Sequence, residues 1–458
     1  MLDSLEINGF KPWDKMGPIR LAPISAFFGA NSSGKTSILQ FLLMLKQTVA
    51  SKDPLQTLNF SDIVDLGTMQ DVLHKAEDGQ PLSEKISWQI SWKLEKSLAL
   101  KIELPTGPIS RSGKSIQFRA VVKKSKAGNP EVESFFYIFD GQEFSFHPSA
   151  EKGTQLRSSG AWNFELISNR GRPYPLPAPF KCYGFPDRTR TQYQNTAFLK
   201  DFEASFESLF DKVFYLGPLR EDPKRQYTWG GGDRTDVGPR GEYTVEALLA
   251  GQHRPDIASN RTDLTPSPRN KRHSLQERVA GWLRELGLIY SFEVEPISDD
   301  TNLYRVRVKN NKKSSTVLLT EIGFGISQVL PVLTILFYVP DNSIVILEQP
   351  ELHLHPAVQA SLADVLIDAA KSKNIQIILE SHSEHLLHRF LRRIAERKIE
   401  DSDVAFFFLR RDGGHSVIDE LQVDLFGNVK NWPKDFFGNT MTDIAERQKA
   451  MLRKKASL

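Results

Sequence analysis

The sequence has little that would commit it to a special environment. One cysteine, Cys182, stands among 458 residues, which excludes a disulfide framework within the chain and a cysteine-built zinc site, and suits a reducing compartment. A formal charge of +3 is near neutral at this length, so any nucleic-acid or membrane surface has to be a local patch. No apolar run is long enough for a bilayer: the most apolar window, 329–347, is broken by Pro331 and by Pro340-Asp341-Asn342. No heptad repeat is sustained, which excludes a long coiled-coil arm. Met1-Leu2-Asp3-Ser4-Leu5-Glu6 has no basic n-region or apolar h-region, so the expectation is a cytoplasmic protein without a signal peptide. With 40% hydrophobic residues the chain can fill two or three ordinary domains.

What is present begins with Gly29-Ala30-Asn31-Ser32-Ser33-Gly34-Lys35-Thr36, which fits the phosphate-loop pattern G-x-x-x-x-G-K-[ST] without mismatch. Glycines let successive backbone N–H groups of such a loop, including those of Asn31, Ser32 and Ser33, turn inward onto phosphate oxygens. Lys35 then reaches the β- and γ-phosphates, and the Thr36 hydroxyl can ligate Mg²⁺. Ile24–Phe28 reads as a buried strand feeding the loop. Ser37–Leu45 reads as a helix whose N-terminus faces the phosphates. A chance Gly/Ser-rich turn would not carry both flanks. The pattern predicts a nucleoside triphosphate site.

Leu5–Phe10 reads as a strand leading toward that loop, and Asp62–Asp71 as a structured loop beside it. From Ile86 the period becomes two. Ile86, Trp88, Ile90, Trp92 and Leu94 alternate with polar residues, and after Glu95-Lys96-Ser97, read as a turn, Leu98, Leu100, Ile102 and Leu104 alternate again. Strands at Ile116–Val122, Ser134–Phe139 and Gln142–Phe146, the last two joined by the Asp140-Gly141 turn, complete a β-meander of roughly six strands. Its aromatics (Trp88, Trp92, Phe135, Tyr137) are read as core rather than as a base-stacking platform. Phe198, Phe202, Phe206 and Leu209 recur at helical spacing, and Tyr215–Arg220 returns as a strand with a polar loop. Residues 251–272 are polar and basic, the composition of a linker. Ser274 and Glu277 form a capping box ahead of Leu275, Val279, Leu283 and Leu286, with Gly287 as the stop. Strands follow at Ser291–Glu295 and Leu303–Val308.

The distal half completes the site. Ser343–Leu347 is a buried strand ending in Glu348-Gln349-Pro350-Glu351, and an acid at such a strand end is where nucleotide enzymes hold Mg²⁺. A helix bearing Val358, Leu362, Leu366 and Ala369 leads to Ile375–Leu379, which ends in Glu380-Ser381-His382-Ser383. Strand–helix–strand order predicts parallel neighbours, with Glu348 and His382 on one ligand-binding edge. Upstream, Gly323-Phe324-Gly325-Ile326-Ser327-Gln328 opens an apolar helix, an anion-binding element.

In order, these parts resemble the ABC-type ATPase head. The segments FGANSSGKTSIL, GFGISQVLPVL, ILEQPELHLHP, ILESHSEHLLHR, YLGPLREDPKRQY and LFGNVKNWPKDFFGN look like its OLD/SMC-like branch. Within that branch they resemble bacterial stand-alone AAA-labelled ATPases with a short C-terminal domain of unknown function. The resemblance implies an α/β P-loop NTPase head with an inserted antiparallel β-meander and a helical segment. The expected division is 1–80 (head with phosphate loop), 81–180 (β-rich insertion), 181–273 (connecting region), 274–415 (rest of the head) and 416–458 (extension). It further implies a homodimer or higher homo-oligomer with ATP held between residues 29–36 of one protomer and Gly325, Ser327 and Gln328 of another. His382 would be the switch histidine near the γ-phosphate, and His353-Leu354-His355 would cross the interface. Cofactors would be ATP and Mg²⁺, the latter on Thr36 and Glu348. Such proteins commonly occur in anti-phage defence operons, where an ATPase holds a nuclease or toxin encoded nearby. No Toprim nuclease sequence follows the head, so any cutting would come from that partner.

One position departs from the head pattern. Where two acids usually close the strand, the second is Gln349, which has no proton-accepting carboxylate. The expectation is slow hydrolysis, or Glu351 acting through a shifted water. Two other readings stay open: an SMC-like ATPase acting directly on DNA, and a scaffold that binds ATP without turnover. His382, His385 and His388 are spaced too far around a helix for one metal. Arg447, Lys449, Arg453, Lys454 and Lys455 read as a solvated face with a possible nucleic-acid contact. Gln47 and Gln70 are weak candidates for a metal-sensing glutamine.

Overall fold

The computed structural model describes residues 1–76, 79–104, 107–147, 155–160, 162, 164, 166–169, 176–232, 234, 236–252, 274–298, 300–433 and 448–451. Three sheets organise them. Numbered along the chain, the central sheet runs β17 (His415–Glu420), β16 (Val404–Asp412), β3 (Ile24–Gly29), β15 (Gln376–Glu380), β14 (Ile344–Glu348), β9 (Val213–Leu216). It is parallel from β16 to β9, with β17 as an antiparallel edge.

These strands read as continuous apolar runs because both faces are covered. On one side Phe27, Ile344, Ile346, Ile378, Ala405, Phe407 and Leu409 join one core. On the other, Ile24, Ala26, Phe28, Val345, Leu347, Ile377, Leu379, Phe406 and Phe408 join a second. Helix α1 (Lys35–Ala50) fills the first core, and α5 (Thr244–Gln252), α6 (Leu275–Glu285), α7 (Phe324–Tyr338), α8 (Pro356–Lys373) and α9 (Glu384–Ala395) fill the second.

The second sheet is antiparallel, in the order β2 (Trp13–Arg20), β1 (Leu2–Phe10), β4 (Lys85–Leu104), β5 (Gly107–Lys124), β6 (Pro130–Phe139), β7 (Gln142–His147), β8 (Gln155–Gly160). It corrects the meander in two respects. First, β1 and the unpredicted β2 belong to it, and β1 pairs with β4 along Leu2–Asn8. Second, Glu95-Lys96-Ser97 is not a turn: Lys85–Leu104 is one strand, and a register shift between Lys93 and Leu98 absorbs the broken alternation. Asp140 (φ 48°) and Gly141 (φ 73°) make the expected hairpin turn. The sheet's inner face is aromatic. Phe41 of α1 meets Trp88 at 5.6 Å, and Phe206 and Phe202 of α4 (Leu199–Asp211) meet Phe118 at 4.9 Å and Tyr137 at 5.4 Å. Trp88, Trp92, Phe135 and Tyr137 are all buried, as core.

A small third sheet joins β10 (Tyr227–Thr228), β12 (Leu303–Lys309), β11 (Ser291–Pro296) and β13 (Val317–Leu318). The Ser274–Glu277 capping box starts α6. Short helices α2 (Met69–Val72) and α3 (Arg188–Gln192) punctuate the loops. Gln47 is buried on α1, where its amide donates to the Asn59 and Val64 carbonyls and accepts from the Val64 N–H. That role latches the loop, and Gln47 is not among the residues lining the cleft over residues 29–36. Gln70 accepts from Lys124. The predicted linker lies outside the described residues from 253 on, as do Arg447, Arg453, Lys454 and Lys455, while Lys449 is exposed.

Candidate nucleotide site

The phosphate loop leaves the C-terminal end of β3 and enters α1, with Ser32 and Gly34 in the left-handed region. Its glycines are needed for space as well as for φ. A β-carbon on Gly29 would come within 2.2 Å of the Leu409 carbonyl oxygen on β16, and one on Gly34 within 2.8 Å of Ser416 Oγ on β17. The loop is therefore clamped by the β16–β17 hairpin. Lys35 is buried and donates to the Gly29 and Ala30 carbonyls at 3.0 and 2.7 Å, contacts a triphosphate would replace. Burial lowers its pKa, with Glu380 and Glu351 opposing the shift.

A cleft of about 380 Å³ lies over the loop. Asn31–Ser37 form its floor, Gln349, Glu380 and His382 come from the strand ends, and Lys11 and Pro12 close it from the β1–β2 turn. Parallel register puts Glu348 directly beside Glu380, so the strand-end residues share one edge. Yet the acid that meets the loop is Glu380: Thr36 Oγ1 donates to its Oε2 at 2.7 Å.

Glu348 is buried one strand further on, accepting from Tyr215 Oη at 2.9 Å while Arg220 donates to its backbone carbonyl. Burial, with Glu380 alongside, pushes its carboxyl up to about 7. Glu351 is also buried, and its Oε1 accepts from Ser381 Oγ (2.7 Å) and from the His382 N–H (2.8 Å). Burial raises its pKa. Neither Glu348 nor Glu351 lines the cleft. Partial burial, and the nearby Lys35, lower the pKa of His382. Gln349 adopts φ 44° and donates its N–H to the Glu380 carbonyl, turning the chain just after β14.

Gly325, Ser327 and Gln328 are not among the residues lining this cleft. They lie in the first turns of α7, where Gly325 abuts His353 and Leu354. Ser327 and Gln328 are buried, and Gln328 Nε2 has no hydrogen-bond partner. His353 sits at φ 63°, and His355 caps α8, its ring accepting from the Ala357 N–H. His388 pairs with Glu384 and faces Trp432. Among the described residues no group of three or more His, Cys, Asp or Glu side chains could hold a metal ion. No described helix is long and apolar enough to cross a membrane.

Mg²⁺ fits the residues present. Thr36 Oγ1 offers a hard oxygen donor at the loop, with the Glu380 carboxylate hydrogen-bonded behind it at 2.7 Å, and Mg²⁺ needs few protein oxygens beside phosphate oxygens and water.

Residues 231–388 match the family model described as "AAA domain, putative AbiEii toxin, Type IV TA system", and 399–446 match "Protein of unknown function (DUF3696)". The first match covers α7, β14, α8, β15 and His382, though not residues 29–36. Together with the phosphate loop it supports a similarity to AAA-labelled ATPase domains. No curated protein matches the chain. Similar solved structures include the SMC head domain from Thermotoga maritima (TM-score 0.43, 11% identity, 92% of this chain and 99% of that one). Another is an SmcHead bound to the C-winged helix domain of ScpA (0.46, 11%, 92% and 98%). A third is an Smc head with an extended coiled coil bound to the C-terminal domain of ScpA, from Pyrococcus furiosus (0.44, 10%, 92% and 96%).

Sequence reasoning missed Lys11 and Pro12 as parts of the cleft and the bonds of Tyr215 and Arg220 to Glu348 beside it, and it did not assign Glu380. The signal for Glu380 was available, since it ends an apolar strand as Glu348 does. Nothing local announces the others.

Proposed function

We propose that the chain is an ATP-binding, slowly hydrolysing ATPase that joins a second copy of itself around ATP and in that state controls a partner effector, a nuclease or toxin encoded nearby, in bacterial anti-phage defence. The observation that carries the reading is the division of the site. The loop, Lys35, Thr36, Glu380 and His382 converge on one cleft, while Gly325, Ser327 and Gln328 stand outside its lining on another helix start. A second protomer presenting that helix start would close the cleft.

In this reading the loop N–H groups and Lys35 hold the β- and γ-phosphates, the Thr36 hydroxyl serves the metal side, and His382 lies by the γ-phosphate, while Glu348, expected on the metal, is turned to Tyr215 outside the cleft lining. Mg²⁺, when bound, would neutralise charge on the phosphate oxygens. Gln349 cannot take a proton from water, and a positioned base contributes about 10²–10⁴-fold, so turnover is slow and association outlasts it. The scaffold reading, ATP held without turnover, is favoured by Glu351: it is buried and does not line the cleft, and its Oε1 is already engaged by Ser381 and the His382 amide.

The test measures molar mass by light scattering with and without Mg²⁺-ATP, alongside phosphate release. Wild type is expected to gain mass with ATP and to release phosphate slowly. Ser327→Arg should bind ATP yet stay at the ATP-free mass. An unchanged wild-type mass would sink the shared-site reading, and absent phosphate release with a mass gain would select the scaffold. Co-purification of the neighbouring gene's product would support the effector; its failure to bind in either nucleotide state would remove it.

A further inference from the structure

The carboxylate that faces the triphosphate cleft is not one of the pair at the end of β14. Of the three buried glutamates at the strand ends, only Glu380 lines the cleft. It is also the only one bonded to the phosphate loop: Thr36 Oγ1 donates to Glu380 Oε2 at 2.7 Å. Glu348 instead receives the Tyr215 hydroxyl, and Glu351 the Ser381 hydroxyl and the His382 N–H. The direction of the Thr36 bond matters. A hydroxyl has one hydrogen and two lone pairs. With its hydrogen committed to a buried carboxylate, the lone pairs of Thr36 are left for a cation, and the anionic acceptor makes that oxygen a better donor. The backbone keeps Glu380 there, since its N–H and C=O lie in the β3–β15–β14 ladder and its carbonyl accepts the Gln349 N–H.

From this geometry we propose that Glu380 is a positioning residue for the divalent cation: through Thr36 it orients the hydroxyl that ligates Mg²⁺, and so sets how strongly Mg²⁺ promotes nucleotide binding. Resting on the nucleotide reading above, this assigns to β15 a function that the sequence pattern gives to β14.

The test titrates a fluorescent ATP analogue into the full-length chain with Mg²⁺ and with EDTA, and reads the ratio of the two dissociation constants. In Glu380→Gln the ratio should fall by roughly 10–100-fold, the usual loss when a partner behind a metal ligand is removed, with the EDTA value within a few-fold of wild type. Glu348→Gln should keep most of the ratio. An unchanged ratio in Glu380→Gln would overturn the proposal. So would equal weakening with and without Mg²⁺, which marks a merely structural role. Should Glu380→Gln not fold, Glu380→Asp, which keeps the charge but withdraws it by one methylene, is read by the same criteria. Wild type showing no saturable binding in either buffer would instead overturn the nucleotide reading, and this assignment with it.

Discussion

Glu348 shows how much a single buried acid can weigh before any nucleotide arrives. Burial and the adjacent Glu380 push its carboxyl up to about 7 from an ordinary 4.5. Between those values the folded chain holds a proton that the unfolded chain has released. Stability therefore falls as pH rises through that window, and the full penalty persists above it. Two and a half pH units correspond to ~3 kcal/mol. Glu203, also raised to about 7 by burial, adds a similar trend of its own. In urea titrations without nucleotide, Glu348→Gln should be more stable than wild type at pH 8 by up to ~3 kcal/mol and close to it at pH 4.5. Its amide oxygen can still accept from Tyr215, which limits the loss. A difference between the two proteins that does not change with pH would refute the account.

Among the elements, the β1–β2 hairpin is the least anticipated contributor to the cleft. Its turn places Lys11 at φ 50° over the phosphate loop, with Nζ donating to Gln40 Oε1 of α1 at 2.6 Å. Burial lowers its pKa. A cation in that place can meet phosphate oxygens, so Lys11→Ala should weaken binding of the ATP analogue roughly tenfold, whereas exposed Lys15→Ala on the same hairpin should not. Equal affinities for Lys11→Ala and Lys15→Ala would remove Lys11 from the site. The hairpin also shows where sequence reading stops. The phosphate loop, the α6 capping box and the β14–α8–β15 order were legible because each is written within about forty residues by local spacing. Glu95-Lys96-Ser97 misled because a bulge tolerates polar residues that a pattern reads as a turn. The bond from Thr36 to Glu380 joins residues 344 apart, and neither one's neighbours hint at the other.

At the scale of the whole molecule, the cleft is bounded by two sheets, and one side chain clips them together at the opposite end. Gln376 begins β15. Its Oε1 accepts the Leu2 N–H, and its Nε2 donates to the Leu2 and Ala22 carbonyls, all of it buried. From this clip β15 runs to Glu380 and β1 runs to the Lys11 turn, so the two walls of the cleft share an origin. They also share a core, in which Phe27 and Phe407 of the parallel sheet join Trp88 and Phe118 of the antiparallel one. A shared core predicts one cooperative unfolding transition for both sheets. Gln376→Ala strands the Leu2 N–H and C=O away from water, at a cost of about 1–3 kcal/mol for each buried group. The variant should therefore unfold at lower urea, by about 2–6 kcal/mol in all, in a single step followed by tryptophan fluorescence. An early, separate transition in Gln376→Ala would mean that the clip, rather than the common core, is what makes the two sheets one unit. An unchanged midpoint would mean that β1 and β15 are aligned by the core alone.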